Sequence, residues 1–172
     1  MIHIPLGLVI AVILSRHFCG WAVLRTLIFL PNTFSIAALA IMWYFLLHPS
    51  LGLVNTALVK IGLGSIAKPW LAITQTALLT NMLPFLVHVG ITVFIFLAHI
   101  ESIPKEYYEA AKLDGANQLQ LDLFITIPLL RRALAVNCVL NAAFALKMVE
   151  YPLIMTGGGP AGATYTLSLY MY

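Results

Sequence analysis

Residues 109–128 read EAAKLDGANQLQLDLFITIP, a polar stretch in a chain that is otherwise strongly apolar. The 172-residue chain is 62% hydrophobic and 9% charged, whereas roughly a quarter of the residues in an average globular domain are charged. Nine of its Lys, Arg, Asp and Glu residues fall within residues 101–132. The charge is therefore concentrated around this one stretch.

Two charge-free runs, residues 27–47 and 71–100, indicate a membrane protein. Each is longer than the roughly 20 residues that a helix needs to cross the hydrocarbon core of a bilayer. So much apolar surface cannot be buried inside one water-soluble domain of this length, which excludes that class. We expect an all-α polytopic membrane protein.

Four apolar blocks are visible, with the start of a fifth, so we expect about four membrane helices. The blocks cover residues 2–14, 24–47, 70–100 and 129–155, and the fifth begins at residues 166–172. Pro31 predicts a kink in the second block, and Asn81 and Pro84 predict an interruption of the third. Residues 56–61 favour a short interfacial helix. The first block spans only about 21 Å at 1.5 Å per residue, and the fifth stops early, so we expect an internal piece of a longer protein.

Lys and Arg residues are unevenly divided between the two sides of the predicted membrane helices. One side holds Lys60 and Lys68. The other side holds six: Arg16, Arg25, Lys105, Lys112, Arg131 and Arg132. Because cytoplasmic loops are enriched in Lys and Arg, we predict that residues 101–132 face the cytoplasm. The net charge of +3 is too small and too dispersed to indicate nucleic-acid binding.

Residues 101–128, here called the charged segment, contain signals for two short helices. Ser102 and Pro104 favour a helix start, and Gly115 favours its end. Asn117 can cap a second helix, and Pro128 is suited to open the following membrane helix. Ordered connections of this length are often functional. The residues alone leave two interpretations open: a docking surface for another protein, or a solvated loop whose basic residues set the topology.

The spacing within the charged segment resembles a family signature. Glu-Ala-Ala, three residues, Gly, nine residues and then Ile-x-x-Pro is similar to the EAA motif of the permease subunits of ATP-binding-cassette importers. That motif usually ends in Ile-x-Leu-Pro, and here Ile127 replaces the Leu. Other stretches look like the maltose-type branch of sugar importer permeases: residues 29–55, 102–116, 127–134 and 155–172.

This resemblance implies that residues 1–172 are part of a type I ABC importer transmembrane domain, with the charged segment as the element that couples it to a cytoplasmic ATPase. Glu109 would pair with a basic residue of that ATPase, and Ala110 and Ala111 would allow its close approach. Gly115 would form the bend between the two short helices. The signature positions Ile125 and Pro128 complete the implied set of ATPase-coupling residues.

The resemblance also implies partners and a location. The partners would be nucleotide-binding ATPase subunits, a second homologous permease subunit, an extracytoplasmic solute-binding protein and a small-molecule substrate, with a sugar or sugar derivative expected. ATP and Mg would be bound by the ATPase, so we expect no cofactor and no enzyme activity in this chain. The location would be the inner membrane of a prokaryote.

Polar residues in the apolar blocks are candidates for the translocation path. Lys147 and Glu150 are spaced i and i+3, so on one helix they share a face and can pair. Ionisable groups in membrane helices are often functional, so both are candidates, with a structural ion pair as the alternative. Asn137 and Asn141 lie four residues apart on one predicted helix. They fit either interhelical hydrogen bonds or, for Asn141 above all, the path.

Several other residues have less specific interpretations. Asn81, His88 and His99 fit packed positions better than ligand positions. Cys19 and Cys138 lack metal-site or disulfide spacing, and we expect both to be small apolar side chains.

Two further function classes stay open from the sequence. A proton-coupled secondary transporter would use Lys147 and Glu150 to carry protons. A membrane scaffold would not transport at all. The spaced EAA pattern favours the importer.

Overall fold

The computed structural model describes residues 2–16, 18 and 20–172, and the prediction for Cys19 lies outside the described residues. Every regular element in this described part is helical, as expected. The helices are α1 (His3–Leu14), α2 (Trp21–Phe29), α3 (Ile36–Leu46), α4 (Leu53–Lys60), α5 (Thr74–Val87), α6 (Gly90–Glu101), α7 (Lys105–Leu113), α8 (Gln118–Leu121), α9 (Ile127–Leu129), α10 (Arg131–Lys147), α11 (Glu150–Thr156) and α12 (Leu167–Met171). Two 3₁₀ turns, Leu30–Thr33 and Gly64–Ile66, and one π turn, Asp122–Thr126, complete the set.

The long apolar runs fold as broken helices, not as the single helices expected from their length. The second block breaks after the 3₁₀ turn that contains Pro31. Ser35 then caps α3, since its side chain accepts from the Ala38 N–H at 3.2 Å. In the third block α5 continues through Asn81 and Pro84 and ends at Val87. Proline removes one helical donor without always ending a helix at once, so the break falls a turn later than predicted.

No single helix in the described part is both long and apolar enough to cross a membrane by itself. Three pairs of consecutive helical segments pass the same length and composition test when taken together across a short break. They are Trp21–Thr33 with Ile36–Leu46, Thr74–Val87 with Gly90–Glu101, and Gln118–Leu129 with Arg131–Lys147.

The chain forms two compact units, and the first comprises residues 1–32 and 89–143. Its core is the contact between α1 and α6. Gly7 of α1 lies so close to α6 that an added Cβ would stand 2.5 Å from the Thr92 methyl carbon. The buried core residues are Ile4, Ala11, Leu14, Val89, Val93, Phe96, Leu97, Ile100, Leu130 and Ala133. The charged segment belongs to this unit.

The second unit comprises residues 33–88 and 144–172, and α11 packs against α3 and α5 within it. The buried core residues are Leu39, Ala40, Leu47, Tyr151 and Met155. The predicted short helix is present as α4. Asn55 of α4 organises the surrounding loop, because its amide donates to the carbonyls of Pro49 and Lys68, both at 3.0 Å. Its carbonyl oxygen accepts from the Trp70 indole N–H at 2.7 Å.

We expect Asn55→Ala to loosen this loop, because three hydrogen bonds of a buried side chain are lost together. A local cost of about 1 kcal/mol corresponds to about fivefold faster trypsin cleavage after the exposed Lys60. The measurement is limited proteolysis of the full-length protein in detergent. Thr56→Ala is the matched control, since the Thr56 hydroxyl only bonds to the Gly52 carbonyl within the same turn. Equal cleavage rates for the two variants would contradict the role of Asn55.

Candidate functional site

The first helix of the charged segment, α7, has one face turned inward and one left free. Glu106 in its first turn and Lys112 in its last both complement the helix dipole. Tyr108 is half-buried, and its hydroxyl lies 3.1 Å from the Thr126 Oγ1. Glu109, the next residue along the helix, is exposed. The first residue of the predicted motif is therefore accessible to a partner.

Gly115 ends α7 as predicted. Its φ of +84° lies in the left-handed region, where glycine has no steric penalty. The N–H groups of Gly115 and Ala116 donate to the carbonyls of Lys112 and Ala111 at 3.0 and 2.9 Å. This pair of bonds is the Schellman arrangement that closes a helix C-terminus. The bend between the two short helices is thus fixed by backbone geometry.

The second half of the charged segment starts at a reciprocal cap. Asn117 accepts from the Gln120 backbone N–H at 3.0 Å, and the Gln120 side chain accepts from the Asn117 N–H at 2.7 Å. This capping box confirms the predicted cap and begins α8.

After α8 the chain widens into the π turn, where the Ile127 N–H donates to the Asp122 carbonyl five residues back. Pro128 then lies in the three-residue helix α9, while α10 begins at Arg131. The sequence predicted that Pro128 opens the long helix, but this prediction is wrong, because α10 begins three residues later. Pro128 has no N–H to donate to the carbonyl of Phe124, four residues back. The π turn before Pro128 accommodates this missing hydrogen bond.

Two side-chain contacts that the sequence did not predict hold the π turn in place. Arg16, which follows α1, donates from Nη2 to the Oδ2 of Asp122 in an ion pair. Tyr108 and Thr126 form the second contact. Asp122 and Thr126 are the first and last residues of the π turn, so the turn is held at both ends. The one available signal was that Arg16 and the charged segment were assigned to the same side of the membrane.

The predicted coupling residues occupy three settings around this scaffold. Glu109 and Ala110 are exposed on the free face of α7. Pro128 is exposed beside a cavity of about 460 Å³, lined by Pro128, Leu129, Arg131 and Arg132. The other three line a groove of about 270 Å³, whose walls are Ala111, Asp114, Gly115, Ala116, Gln120, Leu121, Phe124 and Ile125.

Large apolar side chains around the groove are also exposed. Leu113 is 89% exposed, Phe124 is 76% exposed and Leu119 is 66% exposed. The charged segment therefore presents a carboxylate, small residues and projecting apolar side chains on one connected structure. This combination suits contact with another protein, since a partner can approach the small residues closely while covering the apolar ones.

The expectation that Lys147 and Glu150 share one helix face is wrong, and the structure does not form the ion pair left open as the alternative. The helix that was expected to carry both ends at Lys147, and Glu150 begins α11. No ion pair joins these two described residues, and both are exposed. Pro152 supplies the reason, because it cannot donate to the Met148 carbonyl four residues back. That carbonyl instead accepts from the Thr166 hydroxyl at 3.0 Å.

Asn141 is half-buried and bonded between helices. Its amide donates to Thr92 Oγ1 of α6 at 3.2 Å and to the Asn137 carbonyl at 2.9 Å. Asn137 itself is fully buried and donates to the Ala133 carbonyl within α10 at 3.1 Å. The geometry at Asn141 is that of the interhelical hydrogen bond that the sequence allowed. Its place on a translocation path stays a prediction.

The second unit contains polar side-chain contacts that were not predicted from the sequence. His88 Nδ1 lies 3.1 Å from the Tyr151 hydroxyl. The Asn81 amide donates to Thr156 Oγ1 at 3.1 Å, and this oxygen lies 2.6 Å from Thr164 Oγ1. Asn81 and His88 therefore occupy packed, hydrogen-bonded positions. Their spacing of seven residues, about two helical turns, was the signal in the sequence: Asn81 lies in α5 and His88 directly follows it.

His99 and Cys138 have local settings. His99 Nδ1 lies 2.9 Å from the Ile95 carbonyl of its own helix. Cys138 is a half-buried free thiol that packs against the core of the first unit. Both fit the packed positions expected of them.

The fold and the motif agree with a single protein family. Residues 3–172 match the binding-protein-dependent transport system inner membrane component family, and the chain belongs to this family. Its members are membrane transport components and not enzymes, and the resemblance to ABC importer permeases is confirmed.

Individual relatives point the same way. The chain is 34% identical over 169 residues to YurN of Bacillus subtilis, which is named as a probable ABC transporter permease, covering 96% of the chain and 58% of that relative. It is 32% identical over 174 residues to the trehalose/maltose transport system permease protein MalF of Thermococcus litoralis, covering 97% of the chain and 56% of MalF. The chain thus spans less than two thirds of the length of these relatives.

Solved structures confirm the fold class. A bacterial ABC transporter that imports the acidic polysaccharide alginate matches with a TM-score of 0.85 and 25% identity, over 98% of this chain and 60% of the other. A bacterial alginate ABC transporter in complex with an alginate pentasaccharide-bound periplasmic protein matches with a TM-score of 0.82 and 25% identity, over 94% and 56%. The chain therefore has the fold of a type I ABC importer transmembrane domain.

Proposed function

We propose that this chain is part of the permease subunit of an ATP-driven importer, and that its charged segment docks into a cytoplasmic ATPase. The observation that carries the proposal is the exposure of the motif residues Glu109 and Ala110 on a helix that is anchored from behind by Tyr108. A helix held in this way can transmit force, because its inner face is bonded to the π turn, whose other end Arg16 holds. Family membership supports the same role.

The docking surface has features of a protein interface. Leu113 and Phe124 are exposed on a segment that we expect to lie in the aqueous cytoplasm. Water is a poor environment for large apolar side chains, so a partner protein that covers them would be favoured. Glu109 supplies a carboxylate that a basic residue of the ATPase can pair with. The groove beside Gly115 offers backbone and small side chains for close approach.

The substrate we propose is a sugar or sugar derivative. Support comes from the relative named for trehalose and maltose transport and from the alginate importer structures. We assign Asn141, Lys147 and Glu150 to the translocation path, since amide, ammonium and carboxylate groups are the donors and acceptors that bind sugar hydroxyls. Lys147 and Glu150 are exposed and not tied to each other, which leaves them free for such contacts.

The proposed assembly contains two cytoplasmic ATPase subunits that bind ATP and Mg, a second homologous permease subunit and an extracytoplasmic solute-binding protein. The alginate transporter in complex with its periplasmic protein supports the last of these. The membrane is a prokaryotic inner membrane. The charged segment faces the cytoplasm, as the Lys and Arg count predicts.

We expect uptake to require ATP and to be independent of a proton gradient. The test uses the full-length permease, reconstituted in proteoliposomes with its second permease subunit, its ATPase and its solute-binding protein, and follows entry of labelled solute. Adding a protonophore while ATP is present should leave uptake unchanged, and omitting ATP should stop it. Uptake that collapses with the protonophore while ATP remains would identify a proton-coupled transporter instead.

A further inference from the structure

Within the described residues, one ion pair connects the charged segment to the residues that follow α1. Arg16 lies just after α1, and Asp122 is the first residue of the π turn, 106 residues further on. Asp122 also accepts from the Gln118 side-chain amide at 3.4 Å. The contact thus joins two parts of the first unit that are remote in sequence.

The burial of the two side chains is unequal, and this decides what the pair can do. The Asp122 side chain is 12% exposed, whereas that of Arg16 is 42% exposed. A carboxylate is costly to bury to this degree unless a charged or hydrogen-bonded partner compensates it. Solvent weakens the attraction on the Arg16 side. The pair is therefore better suited to fixing a position than to adding much stability.

The π turn joins this contact to the docking helix. Its last residue, Thr126, meets Tyr108 of α7, so α7 is bonded to one end of the turn and Arg16 to the other. A displacement of α7 therefore reaches Asp122 through a segment of five residues.

The helix that precedes Arg16 cannot move alone. Ala11 and Leu14 of α1 are fully buried in the core that α1 forms with α6. Gly7 lies against Thr92 with no room for a Cβ. Because well-packed helices shift as units, a pull on Arg16 moves α1 and α6 together.

We propose that Arg16 and Asp122 are a positioning pair that carries the movement of the charged segment to α1 and α6. This inference rests on the proposed docking of the charged segment. Neither residue touches the solute or ATP in this role. Both instead determine how much of the movement that the ATPase imposes on the charged segment is transmitted to α1 and α6.

The test compares uptake with ATP hydrolysis in the full transporter in proteoliposomes. Asp122→Asn keeps the shape and the Gln118 contact but removes the charge. We expect its ATPase association to equal that of the wild type, while solute imported per ATP falls about fivefold, at the low end of typical coupling between sites. Arg16→Lys, which keeps a positive charge at the more exposed partner, should stay within about twofold of the wild type.

Arg25 supplies the matched control for Arg16. It lies on the same predicted side of the membrane, where its guanidinium contacts the Trp21 ring at 5.7 Å. Arg16→Gln should lower the solute imported per ATP as Asp122→Asn does, and Arg25→Gln should leave it unchanged. Equal losses for Arg16→Gln and Arg25→Gln would overturn the proposal, since a general need for positive charge would explain both.

The readouts separate this inference from the docking proposal. If Glu109→Lys leaves ATPase association intact, docking itself is wrong. If docking stands and Asp122→Asn retains wild-type solute import per ATP, the positioning pair is wrong. Should Asp122→Asn fail to accumulate in membranes, Arg16→Gln is decisive, because it changes the more exposed partner. Lowered solute import per ATP then supports the contact, and wild-type import per ATP contradicts it.

Discussion

Glu109→Lys should abolish ATPase binding and solute uptake by the full-length permease. Glu109 is exposed on α7, so the exchange does not disturb a buried contact. Opposite a basic residue of the ATPase, the new Lys replaces an attraction with a like-charge contact that costs several kcal/mol. A change of about 3 kcal/mol lowers the association constant about 100-fold. Co-purification of the ATPase with the permease and uptake in proteoliposomes are the measurements.

Glu101→Lys is the matched control for this experiment. Glu101 is also exposed and lies at the C-terminus of α6, within the charged segment but outside the motif. The variant makes the same change in charge, so a general electrostatic effect on the ATPase would lower association equally in both. Retained binding and uptake in Glu109→Lys would exclude the docking role, whatever the control does.

Gly7→Val should destabilise the first unit by about 3 kcal/mol, the upper range for overpacking a core. The new Cβ would lie 2.5 Å from the Thr92 Cγ2 and 3.2 Å from its Cβ. Thr92 is buried and β-branched, so it has few other rotamers, and turning it would break its bond to the Asn141 amide. The measurement is thermal unfolding of the full-length permease in detergent, together with its amount in membranes.

Two variants make this prediction specific. Gly64→Val places the same side chain where the nearest atom is 3.6 Å away, so it should unfold at the wild-type temperature. Adding Thr92→Ala to Gly7→Val removes the clashing methyl group and should recover part of the loss, a coupling that a double-mutant cycle measures. A Gly7→Val protein as stable as Gly64→Val would show that α1 and α6 are not closely packed at this point.

Local signals in the sequence predicted the helical character and the architecture of the charged segment. Charge-free runs identified the apolar blocks, and Gly115 and Asn117 fixed where one short helix ends and the next begins. These features depend on residues close in sequence, whose effect on backbone geometry is nearly independent of the rest of the fold.

Features that depend on contacts between residues far apart in sequence were not predictable in the same way. Arg16 could have paired with any of several acidic residues of the charged segment, and only the packing of the first unit selects Asp122. The error at Lys147 and Glu150 came from treating one apolar block as one continuous helix. Pro152 was visible in the sequence, but the capture of the Met148 carbonyl by Thr166 requires the folded chain.

The reciprocal cap at the start of α8 has a consequence for the order of events during synthesis. Asn117 and Gln120 are three residues apart, so their bonds can close as soon as this part of the chain leaves the ribosome, before the following span enters the bilayer. The contact with Arg16 must wait until residues 106 positions apart have met. The charged segment can thus acquire its local shape early and be bonded to the end of α1 late.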